Sequence, residues 1–90
     1  MTRRERWRRV LGAELQRWSA MTPEQLTSAL ADECVYEVEF DSNTHQVEVE
    51  ILENTEEYLH VIVAVDDGSL PASMLPETQS FICRKTVRNI

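Results

Sequence analysis

The chain has 90 residues, 42% of them hydrophobic, and a formal net charge of −7. That length bounds it to one domain with a small core, burying about 60 to 65% of what the unfolded chain exposes, and 28% charged residues with only two Gly and three Pro exclude a disordered or low-complexity chain. The charge is unevenly laid out: residues 1–9 carry five Arg and one Glu, residues 10–83 carry fifteen acids against Arg17 alone, and residues 84–90 carry Arg84, Lys85 and Arg88.

The first element is a helix over residues 3–20. Thr2 and Glu5 are spaced as a capping box, in which each side chain satisfies the other's free backbone amide. Trp7, Val10, Leu11, Leu15 and Trp18 then recur on one face at helical spacing. Gly12 weakens the helix interior by about 1 kcal/mol relative to Ala, through either close packing or simple tolerance. The segment WRRVLGAELQRW is broken by charge every three or four positions, so it reads neither as a secretory signal nor as a membrane span. A cytoplasmic protein without membrane association is expected. A second helix, over 23–31, is announced by Thr22 as N-cap, Pro23 in the first helical position and Gln25 closing another capping box, with Met21 and Leu26 placed as a hydrophobic staple.

From Cys34 the apolar period changes from about 3.6 to 2. Strands are expected at 34–41, 45–53, 57–66 and 79–86. Tyr36, Val38 and Phe40 share one face of the first strand, and Val47, Val49 and Ile51 share one face of the second. Two registers keep these sets together: Tyr36 with Val49 and Val38 with Val47, or Val38 with Val49 and Phe40 with Val47. A slip by one residue would turn the apolar groups into water. The third strand continues the core with Leu59, Val61, Val63 and Val65, but its other side, Tyr58, His60, Ile62 and Ala64, is far less polar than that of the hairpin. Leu70, Met74 and Leu75 in the following connection, or a second subunit, are the expected cover. Helix, helix and four strands in that order predict an α+β fold, two N-terminal helices packed on one face of a four-stranded antiparallel sheet.

Cys34 and Cys83 are too few for a disulfide scaffold and read as reduced, buried thiols. The sequence contains no phosphate-cradling glycine loop, nucleophile elbow or zinc-like spacing of Cys and His. DDGS at residues 66–69 lacks the alternating acids of a calcium loop and reads as a turn. No cofactor and no metal are expected. RRERWRR resembles a nucleic-acid arm only in composition, because its arginines scatter around the helix and the acidic body repels phosphates. That basic end is expected to dock on acidic surface of the same or a second copy, with Trp7 supplying apolar area.

The solvent side of the hairpin is nearly all acid: Glu37, Glu39, Glu48 and Glu50. Either register sets glutamates across from one another, which is unfavourable in a sheet. The first functional expectation is a small, acidic, non-catalytic interaction domain. Its four glutamates would receive a basic protein partner, as an inhibitor or immunity-like binder would, an analogy of size, sign and build alone. Self-association through Trp7, Tyr58 and Ile62 would make it a homo-oligomer. The alternative is a small enzyme or ligand-binding domain. Glu14 interrupts the apolar stripe of the first helix, and burial of such a carboxyl would favour its neutral form. With His60 it could line a pocket between helices and sheet. The bland readings are that Glu14 pairs with an arginine, that His60 simply packs, and that His45, beside the turn, is solvated.

Overall fold

The structure, a computed structural model, describes residues 1–68 and 76–85. Helix α1 (Arg3–Ser19) opens at Thr2, whose side chain accepts from the Glu5 amide. It buries Trp7, Val10, Leu11, Glu14 and Trp18, the stripe expected from spacing. Gly12 faces open space, with nothing within 4 Å of where a Cβ would stand, so tolerance rather than close packing explains it. Helix α2 (Pro23–Ala29) has the full reciprocal box: Gln25 N–H donates to Thr22 Oγ1 at 3.2 Å and Thr22 N–H to Gln25 Oε1 at 2.9 Å. Leu26, its one fully buried residue, joins the core.

Four strands follow: β1 (Cys34–Phe40), β2 (Asn43–Asn54), β3 (Tyr58–Asp66) and β4 (Glu77–Arg84). They form one antiparallel meander in the order β1-β2-β3-β4. The fold is therefore α+β, with both helices N-terminal to the sheet. The inner face, under α1, carries Val47 and Val49 from β2 and Leu59, Val61, Val63 and Val65 from β3, all essentially without solvent contact. These pack with Trp7, Val10, Leu11, Trp18, Leu26 and Leu30 in one cluster. Each fully buried aliphatic side chain contributes about 1.5 to 3 kcal/mol.

Neither register expected for the hairpin forms. Tyr36 pairs with Val47 and Val38 with His45, while Phe40 and Asn43 close a two-residue turn. That turn is Asp41–Ser42, both left-handed at φ 54° and 58°, the arrangement whose twist matches that of the flanking strands. Without the usual Asn-Gly signature the tip reads one or two residues too late, and β2 starts two residues before its expected position. Because the actual shift is even, each face keeps its residues. A bulge at Leu52 then breaks the ladder between β2 and β3, leaving that side chain 49% exposed.

Cys34 and Cys83 are both half-buried on the inner face but belong to the two outermost strands. Two intervening strands put them at least about 14 Å apart, and the register offsets them along the strands as well, beyond disulfide reach. Burial pushes both thiols above the ordinary cysteine range. Leu70, Met74 and Leu75 lie outside the described residues. No helix among the described residues is long and apolar enough to cross a membrane.

Candidate functional site

Alternation along each strand sends Glu37 and Glu39 of β1 and Glu48 and Glu50 of β2 away from the helices, and all four are exposed. The sheet's own pairing spaces them. Glu37 stands across from Gln46, Glu39 from Thr44, Glu48 between Val35 and Ala64, and Glu50 across from Ile62. The expected glutamate-to-glutamate pairs are thus absent, which corrects the sequence reading. Like charges meet only on diagonals or along a strand, roughly 7 Å apart, where solvent screens them. None of the four forms an ion pair among the described residues; Glu39 accepts only a 3.3 Å hydrogen bond from Thr44.

Four of the chain's five N-terminal arginines are occupied elsewhere. Arg3 pairs with Asp67 at 2.8 Å, Arg4 and Arg8 with Glu77 at 3.2 and 3.5 Å, and Arg6 reaches Asp41 at 4.0 Å. Arg3 and Arg4 also stack on the Trp7 ring, 5.1 and 4.9 Å from its centroid. The basic end therefore docks on acids of its own body, at the rim of the sheet and not on the glutamate face. Trp7 lies beneath those guanidinium groups at 1% exposure, so it offers no apolar area to a second copy, and that expectation fails.

The half of the outer face built from β3 and β4 is different. Tyr58, His60, Ile62 and Ala64 are half-buried, while Thr78, Ser80, Ile82 and Arg84 are exposed, Ile82 to 51%. Tyr58 donates a 2.6 Å hydrogen bond to Glu53, and that bond pushes its phenol above the ordinary range. An acidic band on β1 and β2 therefore borders a neutral, partly apolar field on β3 and β4.

Glu14 sits on the other side of the sheet. It accepts a 2.5 Å hydrogen bond from Tyr36 Oη, which in turn accepts from Trp18 Nε1 at 2.7 Å. Arg17 pairs with the same carboxylate at 3.5 Å and lies 5.3 Å from both the Trp18 and Tyr36 ring centroids. Burial first, and the bond to Glu14 second, drive the Tyr36 phenol far above its usual range. This network clamps α1 to β1. Its chemistry is that of a satisfied interior: Trp18 Nε1, Tyr36 Oη and Glu14 Oε1 each meet a partner.

His60 points from β3 to the outer face, between Glu53 and Ile82 in the ladder, so Glu14 and His60 lie on opposite sides of the sheet and share no pocket. A cleft of about 800 Å³ lies between α2 and the turn after β2, lined by Thr22, Glu24, Ser28, Glu56 and Lys85 among others. It contains neither residue. His45, expected in solvent, is 1% exposed on the inner face, and its Nδ1 has no hydrogen-bond partner. It shares the face of Val47 and Val49, and the early turn sets it across from Val38, within the ladder and not at its end. Among the described residues, no three or more His, Cys, Asp or Glu side chains converge as metal ligands. Compared with family models, with curated proteins and with solved structures, the chain finds no match.

Proposed function

We propose that this chain is a small, non-catalytic interaction domain whose sheet face, bearing Glu37, Glu39, Glu48 and Glu50, receives a basic protein partner, in the manner of an inhibitor or immunity-like binder. The observation that supports the reading is the division of charge. Four of the five N-terminal arginines, Arg3, Arg4, Arg6 and Arg8, are paired with Asp41, Asp67 and Glu77, while the four glutamates stand together, exposed and without ion pairs among the described residues. Carboxylates about 7 Å apart match a partner segment with Lys or Arg at every second position of a strand. Their summed field would steer and select partners by sign. Ile62 and Ile82, beside the band, would supply apolar contact once the charges have aligned the two surfaces.

A lysine-rich peptide with alternating lysines is the probe, its binding followed by fluorescence anisotropy. Binding is expected at low salt and should fade as salt approaches about 1 M, where screening shrinks to about 3 Å. Reversing all four glutamates to Lys should abolish it. Reversing four acids away from this face, Glu5, Glu24, Glu56 and Glu57, makes the same change in net charge and should leave most of it. Equal loss in both variants would reduce the effect to bulk charge, and no loss in the first would end the proposal.

A further inference from the structure

Among the described residues no further strand lies beside β1 or β4, and the backbones of these two edges can be read from the hydrogen bonds they already make. Lys85 N–H donates to Glu57 O at 2.8 Å, and the ladder continues with Cys83 across from Leu59, Phe81 from Val61, Gln79 from Val63 and Glu77 from Val65. In an antiparallel pair the bonded residues alternate, so these odd-numbered positions spend their backbone groups on β3. Thr78, Ser80, Ile82 and Arg84 aim theirs outward. On β1 the two-residue turn closes on the pair Phe40 and Asn43, which leaves Val35, Glu37 and Glu39 facing out.

The two edges differ in protection. Two of the three outward residues of β1 are glutamates, a common device against strand addition. Between Glu77 and Arg84, β4 has no charge, no proline and no bulge. Its charges sit at its ends and are opposite in sign, Glu77 at the start and Arg84 and Lys85 at the finish. An antiparallel copy of the same strand brings unlike ends together.

We propose that the occupant of the β4 edge is the β4 edge of a second copy, paired antiparallel about a two-fold axis through Phe81. Three constraints select this arrangement. Outward residues must face outward residues, so positions of equal parity pair and both copies keep the same face up. Centring on Phe81 sets Thr78 against Arg84 and Ser80 against Ile82, giving every outward N–H and C=O of these four residues a partner. Centring on Ser80 instead sets Arg84 against Pro76, which has no N–H. The chosen centre also places Glu77, already bridged to Arg4 and Arg8, across from Lys85 of the second copy. The half-buried Phe81 rings meet beneath the joined sheet.

The two meanders then form one continuous sheet, with the helices of both copies on one side and both glutamate bands on the other. The pairing does not rest on the acidic face having a partner. If it has one, the dimer presents that partner with two sites on one surface, and avidity follows.

Sedimentation velocity of the full chain across a wide concentration range is the first test, with a monomer–dimer equilibrium expected. Ser80→Pro removes an N–H that serves no bond to β3, and edge strands tolerate proline. It should raise the dissociation constant at least about tenfold, since one lost bond of about 1.4 kcal/mol is tenfold, with an unchanged circular dichroism spectrum. The second test keeps the idea exposed should that variant misfold. In a Cys34→Ser, Cys83→Ser background, Phe81→Cys should cross-link two copies on air oxidation, because a non-bonded antiparallel pair brings Cα atoms to about 4.5 Å. Val35→Cys on the β1 edge should not. A monomer at every concentration, growth beyond the dimer, or failure of Phe81→Cys to cross-link would overturn the proposal. Peptide binding by the Ser80→Pro monomer reports on the acidic face separately.

Discussion

Tyr36 and Glu37 are neighbours in β1, yet one closes a hydrogen-bonded network under α1 and the other stands in water without an ion pair among the described residues. On the inner side a polar group is kept only with its partners: Tyr36 donates to Glu14, accepts from Trp18, and Arg17 balances the charge. On the outer side charges are held apart by the register and contribute little to folding. The difference teaches where sequence change is expensive. Inner positions are bound to the fold, and outer positions are free to serve encounter with another molecule.

The largest effect that would test this contrast is expected from Leu59→Ala, which empties a site with no solvent contact. It should cost about 2 to 5 kcal/mol in urea unfolding, and a smaller loss would mean that the inner face is loosely packed. Next comes Tyr36→Phe. It leaves Glu14 and the Trp18 N–H short of a partner, at about 1 to 3 kcal/mol. It should also change the alkaline limb of the stability profile. The phenol of Tyr36 ionises above its ordinary value of 10.0 when folded, so the unfolded chain releases this proton first. Stability from this group is therefore whole below about pH 10 and falls above it. Denaturation followed from pH 8 upward should show a shallower decline in Tyr36→Phe, and identical slopes would refute the coupling. The smallest effect belongs to Glu48→Gln, within about 0.5 kcal/mol. A cost above that would show that the outer face takes part in holding the sheet together.

Much of this contrast is legible in the chain because it is periodic. The capping residues Thr2 and Thr22 start the helices, and the alternation from Cys34 to Ile51 assigns every hairpin side chain to a face whichever even register forms. The choice among those registers is not legible, since each keeps Val47 and Val49 inside, and Asp41–Ser42 lacks the glycine or asparagine that marks a left-handed turn. That one ambiguity concealed the burial of His45 and suggested glutamate pairs that do not form. Glu14 announced itself by interrupting an apolar stripe, but its partner Tyr36 lies 22 positions away and looked like ordinary core. Trp7 fits an interface as well as a core by its residue type. Only the guanidinium groups of Arg3 and Arg4 laid over it reveal which it is.

The left-handed pair at Asp41 and Ser42 works as a ruler. Face parity would let the hairpin slide in steps of two, and the tightness of this tip stops it at the one notch where Tyr36 lies under Glu14. Lengthening the tip by two residues would leave the greasy and the wet sides unchanged and remove the stop that holds this notch, on which a helix some twenty positions upstream depends. The loop is thus answerable to a contact it never touches, and its length is as much a part of the clamp as the hydroxyl itself.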